Sequence, residues 1–169
     1  VLIADGLKGT DDVAVSVEGA EYCKEAYIGR AVMDADIVIS LNHFKGHEEA
    51  GFGGAIKNLG MGCGSGRGKR DMHSCGKPSV DPEKCVACGQ CAKNCAHDGP
   101  QLRDGKMFIN QLNCMGCGRC IDVCPTDAIY HNDSLAAETL NCKMAEYAKA
   151  VVNGRPHFHI SLVCDVSPY

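Results

Sequence analysis

The interpretation of this chain turns on the stretch Cys85-Val86-Ala87-Cys88-Gly89-Gln90-Cys91-Ala92-Lys93-Asn94-Cys95. The same cysteine spacing returns 29 positions later, so that Cys85 is matched by Cys114 and Cys95 by Cys124. Each copy has the form Cys-x2-Cys-x2-Cys-x3-Cys, and Gly89 and Gly118 occupy the same place in it. Two copies in one register indicate a duplicated metal-binding unit, because unrelated thiols have no reason to keep a common spacing.

The composition excludes several classes of protein. The chain has 169 residues, 13 cysteines, 45% apolar residues and a formal net charge of −4. The apolar share is typical of a globular protein, and no apolar run approaches the roughly 18 residues of a membrane span. The acidic balance argues against a nucleic-acid binder that works by neutralising phosphates. We therefore expect no nucleic-acid partner and no membrane span.

The repeat resembles the two-cluster bacterial ferredoxins, in which the fourth cysteine of each run ligates the other cluster. Three thiolates at i, i+3 and i+6 can surround three corners of a 4Fe–4S cube, and the fourth arrives from the other half. The resemblance implies two 4Fe–4S clusters as cofactors. The first cluster is expected on Cys85, Cys88, Cys91 and Cys124. The second is expected on Cys114, Cys117, Cys120 and Cys95.

Zinc knuckles and disulfides are the alternatives to this interpretation. Zinc closes with four ligands, often as two Cys-x2-Cys pairs, which leaves the third cysteine of each run unexplained. Disulfides need an oxidising compartment, and thirteen cysteines are an odd number. Ala96 follows Cys95 where Pro125 follows Cys124, a departure that changes the loop without removing a ligand.

Five cysteines lie outside the repeat: Cys23, Cys63, Cys75, Cys142 and Cys164. We interpret them as packed or idle thiols, since free cysteine behaves as a small hydrophobic residue. The alternative is a third metal site made of Cys63, His73 and Cys75, which no repeat supports.

The segments around the repeat predict an α/β fold with layered helices and a mostly parallel sheet. We expect residues 1–78 to form the first part of an α/β domain with a glycine-rich polar loop. Residues 79–131 would be a ferredoxin-like insert for two 4Fe–4S clusters, and residues 132–169 a helix and strand that return to the domain. Because strand-like runs stand at both ends, the chain is interpreted as a fragment of a longer protein.

Local patterns predict the individual elements. Apolar, strand-like runs predict strands at Val1–Asp5, Asp36–Leu41 and His157–Val163, and the second, which is continuous in its apolar character, is expected to be buried. Residues Ala26–Met33 have helical spacing, whereas the glycines of residues 51–76 predict a loop apart from a short helix at Ala55–Leu59. A long helix begins after Ser134 and ends at Asn153-Gly154, with an apolar face of Leu140, Met144, Ala148 and Val151.

A polar loop follows the predicted strand at residues 36–41, at the edge of the sheet where open α/β sheets bind ligands. Gly51, Gly53 and Gly54 precede a helix whose free N–H groups could hold an anion. The candidate substrate or anion site is made of His43, Lys45, His47, Lys57 and Asn58. A tight structural loop with solvated side chains is the alternative, because the segment matches neither the dinucleotide fingerprint nor the P-loop.

These features in this order resemble a prokaryotic family of uncharacterised iron–sulfur centre proteins. The resemblance covers essentially the whole chain and rests on four segments: Ile3–Leu7, Ala35–Gly62, the cysteine repeat and Asp165–Pro168. It supports the architecture and supplies no reaction.

Three functions remain open at this stage. The first is a cytoplasmic electron-transfer protein that passes single electrons at low potential between a redox partner, protein or small molecule, and its own α/β domain. The second is an oxidoreductase that acts on a small anionic substrate at the polar loop, with histidine as proton donor or base. The third is an interaction module in which the clusters serve only as structural staples.

Overall fold

The computed structural model describes residues 1–47, 50–132, 135–164 and 166. The chain forms two compact units, one made of residues 1–72 and 137–169, the other of residues 73–136. In the described part of the chain, no helix is long and apolar enough to cross a membrane.

The elements of the first unit are β1 (Asp12–Ser16), β2 (Glu25–Gly29), α1 (Arg30–Met33), β3 (Val38–His43), β4 (Lys45–His47), β5 (Gly51–Gly53), α2 (Ala55–Cys63), α3 (Gly66–Met72), α6 (Ala136–Val152) and β10 (His157–Leu162). The first unit begins with strands β1 and β2 and ends with strand β10, which pairs with β3. The elements of the second unit are β6 (Pro78–Val80), α4 (Gln90–Lys93), β7 (Pro100–Arg103), β8 (Lys106–Ile109), α5 (Arg119–Asp122) and β9 (Ile129–His131).

The core of the first unit forms around helix α6. The predicted apolar face is confirmed, because Leu140, Met144, Ala148 and Val151 are all buried. They pack with residues of the β1–β2 hairpin and of α2 and α3, including the fully buried Ile28. The helix ends at Val152, and Gly154 follows with a φ of +74°. The predicted cap, Ser134, lies outside the described residues.

The mixed α/β fold is confirmed, and it contains one parallel strand pair. Strands β3 and β10 run parallel, with Val38 opposite His157 and His43 opposite Leu162. The other four pairs of the described residues are antiparallel, so the expected mostly parallel sheet is wrong. Three of these pairs, β1–β2, β4–β5 and β7–β8, join consecutive strands by short connections, which suit antiparallel pairing. Strand β3 is also less buried than expected, since Ile39 is 68% exposed.

Three other local predictions are wrong in whole or in part. Ala26–Met33, expected as a helix, is strand β2 over its first four residues, where Ala26 and Ile28 alternate into the core, and helix α1 over its last four. Much of the expected glycine loop at residues 51–76 is helical, in α2 and α3. Its glycines permit close packing: a Cβ at Gly60 would overlap the carbonyl oxygen of Met144. Residues Val1–Asp5, expected as a strand, lie outside regular strands.

The second unit is built from two halves related by the sequence repeat. The first half contains β6, α4 and β7, and the second half contains β8, α5 and β9 in the same order. The strands pair between halves, β6 with β9 and β7 with β8, both antiparallel. Neither half is therefore complete without the other, because each supplies the pairing partners of the other's strands.

Candidate metal centre

Main-chain hydrogen bonds of the second unit repeat at the spacing of the cysteines. Asp81 N donates to Ala128 O and Asn110 N donates to Gly99 O, each at 2.7 Å and each across the two halves. Cys85 N and Cys114 N donate to the carbonyl oxygens of Asp81 and Asn110 at 3.1 and 2.9 Å. The cysteine loops thus start from the same anchored turn in both halves.

Left-handed turns shape the two cysteine loops. Gly89 and Gly118, the shared glycines of the repeat, have φ angles of +73° and +77° and immediately precede α4 and α5. Ala87 and Gly116 are a second equivalent pair with positive φ, at +55° and +73°. Such turns direct successive N–H groups to the inside of a loop, where an anionic group can accept them.

Four cysteines from both halves line one pocket of the second unit. This first site consists of Cys85, Cys88, Cys91 and Cys124. Its cavity volume is about 20 Å³. Its remaining wall is largely apolar and includes Val86, Met107, Ala128 and Ile129. Three sulfurs of the first half and one of the second half therefore face the same space.

The other four cysteines of the repeat form a second group, which we call the second site: Cys95, Cys114, Cys117 and Cys120. A Cβ placed on Gly99 would lie 3.6 Å from Cys95 Sγ and 3.5 Å from Cys114 Cα, so these two cysteines flank the same glycine. The structure places Cys95 with the second half, as the repeat predicts for the fourth cysteine of the first run.

The thiol pKa values reflect the same grouping. Burial raises the pKa of Cys91, and the charges of Cys88 and Cys124 raise it further. Burial also raises the pKa of Cys120 to about 12, with the next contributions from Cys114 and Cys117. Thiolates in such places need compensation, which a metal core or hydrogen-bond donors supply.

Backbone N–H groups supply part of that compensation. Gly99 N lies 3.4 Å from Cys95 Sγ, and Ala128 N lies 3.3 Å from Cys124 Sγ at the equivalent position of the repeat. At Cys124, desolvation raises the pKa, but hydrogen bonds from Thr126, Ala128 and Ile129 outweigh it and leave the pKa lowered. The Cys124 sulfur is therefore already placed to carry negative charge.

Zinc and a 4Fe–4S cluster require different spacings of their four sulfurs. Among the residues that the structure describes, no group of three or more His, Cys, Asp or Glu side chains is arranged to hold a metal ion. A zinc ion would bring its sulfurs to roughly 3.8 Å from each other, because a Zn–S bond is about 2.3 Å long. A 4Fe–4S cube keeps its thiolates farther apart, since an iron atom stands between each thiolate and the rest of the core.

The cysteines outside the repeat are divided between the units. Cys63 belongs to the first unit, whereas His73 and Cys75 belong to the second. Burial raises the pKa of Cys63, and burial followed by the charge of Asp71 raises the pKa of Cys23 to about 12. These two thiols have the environment of packed side chains.

The polar loop forms a pocket in the first unit. Its volume is about 320 Å³, and its lining contains all five predicted residues: His43, Lys45, His47, Lys57 and Asn58. Gly53, Met61 and Gly62 complete the lining. Strands β4 and β5 form the hairpin that carries the loop, and the rings of Phe44 and Phe52 contact each other there at 5.2 Å between centroids.

Three hydrogen bonds define the chemistry of this pocket. His47 Nδ1 accepts from Ala50 N at 3.3 Å, which assigns the proton of the neutral ring to Nε2. Asn58 Nδ2 donates to Gly54 O at 2.8 Å and to His43 O at 3.2 Å. Asn58 thus joins helix α2 to the end of β3, and its amide nitrogen is used in positioning the loop.

Sequence reasoning missed two groups of polar residues. Thr126 lines the first site, and its hydroxyl lies 3.8 Å from Cys124 Sγ. The only sign of this in the sequence is that Thr126 follows a predicted ligand by two residues. In the first unit, Asp71 accepts from Tyr147 Oη at 3.0 Å and pairs with Lys143 at 3.7 Å. Lys143 and Tyr147 lie one turn apart on α6, whereas Asp71 lies 72 and 76 residues before them, so no local pattern predicts this contact.

The fold and the two cysteine groups together define a mixed α/β protein with a duplicated, cysteine-rich unit. The chain belongs to the family described as Domain of unknown function (DUF362), which matches residues 1–168. No curated protein matches the chain.

Proposed function

We propose that the second unit holds two 4Fe–4S clusters and that the protein transfers single electrons at low potential. The observation that carries this proposal is the exchange of the fourth cysteine, which puts Cys124 in the first site and leaves Cys95 beside Cys114. Two-cluster ferredoxins use this exchange. Two separate zinc knuckles would not need it.

The donor set of each site fits such a cluster. Each site offers four soft thiolates, and both receive backbone N–H groups at sulfur, as Gly99 and Ala128 illustrate. The largely apolar wall of the first site, including Met107 and Ile129, limits the access of water. When bound, each cluster would take up and release one electron without a proton.

The two sites are close enough to influence each other. The charge of Cys91, a first-site residue, contributes to the raised pKa of Cys120 in the second site. Cys88 and Cys117, the second cysteines of the two runs, are exposed and offer places for an electron to enter or leave. The proposed partner is a redox protein or a small-molecule electron carrier.

A reductive titration under anaerobic conditions, followed by EPR, tests this function. The wild-type protein should take up about two electrons per chain, one for each cluster. Cys124→Ala should reduce this to about one, whereas Cys142→Ala, outside the repeat, should leave it unchanged. Clusters that are present but take up no electron would reject electron transfer and favour the structural role.

The pocket of the polar loop supports a second candidate, an oxidoreductase that acts on a small anion. Two lysines and two histidines line a volume large enough for a small carboxylate or oxyanion. In this proposal Lys45 and Lys57 bind the anion, and His43 or His47 supplies or accepts the proton that accompanies reduction.

Reoxidation of the reduced protein distinguishes the second candidate from a simple carrier. Protein reduced under argon is mixed with small oxidising oxyanions or 2-oxo acids, and the return of the visible absorbance is followed. An enzyme should show saturable reoxidation that Lys57→Met weakens at least tenfold and that the exposed control Lys8→Met leaves unchanged. A rate that is linear in the anion concentration and the same in both variants would reject this activity.

A further inference from the structure

The two sites share an equivalent hydrogen bond at the fourth cysteine of each run. Ala128 N and Gly99 N reach these sulfurs at nearly equal distances. Other donors differ between the halves: Lys106 Nζ donates to Cys85 O at 2.7 Å, whereas the equivalent Lys77 donates to Gln111 O at 2.6 Å. The two fourth cysteines are therefore the matched sulfurs of the repeat, and a break in the repeat beside one of them makes the two sites differ there.

Position 126 is such a break. Thr126 is partly buried, lines the first site and places its hydroxyl 3.8 Å from Cys124 Sγ. The equivalent residue beside Cys95 is His97, which is exposed. A metal-bound thiolate has no proton to give, so in the loaded site the Thr126 hydroxyl is the donor and Cys124 Sγ the acceptor.

A hydrogen bond to a ligand sulfur favours the state of the cluster with more negative charge, which is the reduced state. Building on the proposed function, we propose that Thr126 tunes the first site to be the stronger electron acceptor of the two. An electron that enters at the second site then moves to the first. In that step the second-site cluster is oxidised by one electron, the first-site cluster is reduced by one, and no proton is transferred.

Burial disfavours added negative charge at both sites. The buried Cys85 and Cys91 disfavour added negative charge at the first site. Burial acts in the same sense at the second site, where Cys114 is buried. At Cys124 Sγ the N–H of Ala128 at 3.3 Å and the hydroxyl of Thr126 at 3.8 Å both oppose the effect of burial.

Three variants test the role of Thr126 in the full chain: Thr126→Val, Thr126→Ser and His97→Thr. Each is prepared anaerobically, its iron and sulfide are counted, and its two cluster signals are titrated by EPR. Thr126→Val should lower only the higher of the two potentials. The expected effect is a three- to tenfold lower ratio of reduced to oxidised cluster, which is about 30 to 60 mV at 59 mV per tenfold.

The other two variants separate the hydroxyl from simple packing. Thr126→Ser keeps the donor and should restore the wild-type potential, and His97→Thr should raise the lower potential by bringing a hydroxyl to the second site. The proposal is overturned if Thr126→Val moves the lower potential or neither one, or if serine fails to restore it. Should Thr126→Val fail to assemble, an unchanged lower potential in His97→Thr would overturn it. A chain without iron and sulfide would instead reject the proposed function itself.

Discussion

Replacing Gly60 by alanine should destabilise the first unit, because helix α2 packs against α6 at this glycine. A Cβ at position 60 would overlap the carbonyl oxygen of Met144 and lie 3.0 Å from its carbonyl carbon and 3.2 Å from its Cα. Ordinary van der Waals contact begins at 3.4 Å. The obstacle is main chain in the middle of a long helix, so a side-chain rotation cannot relieve it.

The size of the effect follows from two opposing terms. Overpacking of this kind costs about 1–3 kcal/mol and sometimes more, whereas alanine gains up to about 1 kcal/mol over glycine in a helix. Because the overlap is with main chain, we expect the upper part of the cost and a net loss of about 2 kcal/mol. For a chain of this size, that corresponds to a melting temperature lower by about 4–8 °C.

Gly62 in the same helix provides the matched control. A Cβ there has no neighbour within 4 Å, so Gly62→Ala should be neutral or stabilising by up to about 1 kcal/mol. Both variants are unfolded with urea under anaerobic conditions and followed by circular dichroism at 222 nm. If Gly60→Ala is as stable as Gly62→Ala, the close approach of α2 to α6 is refuted.

Two further changes concern the buried polar residues of the first unit. Tyr147→Phe removes the hydroxyl that donates to Asp71 at 3.0 Å and should cost about 1–2 kcal/mol of unfolding free energy in urea, and an unchanged midpoint would contradict the contact. Burial raises the pKa of Cys23 from 9.0 to about 12, so the folded state keeps the proton while the unfolded thiol loses it. Unfolding free energy should therefore fall as pH rises from 9 towards 12, and Cys23→Ala should flatten that slope; equal slopes would contradict the assignment.

The parts of the fold that follow from local periodicity could be predicted from the sequence. Helix α6 and its apolar face at Leu140, Met144, Ala148 and Val151 are an example, because spacing by three and four residues puts these side chains on one side. Strand β10 is another, since the alternation of Phe158, Ile160 and Leu162 with polar residues, after a glycine and a proline, suits a strand.

The glycine-rich segment could not be predicted in this way, because glycine has two uses that look alike in a sequence. It permits left-handed turns, as at Gly89, and it also permits close approach of two backbones. Gly60 and Gly68 serve the second use: a Cβ at Gly68 would overlap the carbonyl oxygen of Tyr27. The partners, Met144 and Tyr27, are far away in sequence, so only the tertiary structure reveals why α2 and α3 are helical.

The candidate sites also contain some residues that the sequence predicts and one that it does not. The grouping of Cys124 with the first run follows from the repeat, because the spacing and the halves are both visible in the sequence. The pocket of the polar loop was also anticipated, since its five residues lie within one short segment. The hydroxyl of Thr126 near Cys124 Sγ depends on the conformation of the loop after the ligand, which spacing alone does not determine.

Counting iron and acid-labile sulfide in protein purified without oxygen tests the central claim most directly. The account predicts about eight of each per chain, with the brown colour of iron–sulfur proteins. Two zinc ions per chain and no sulfide would contradict it, as would a colourless protein with free thiols at Cys95 and Cys124.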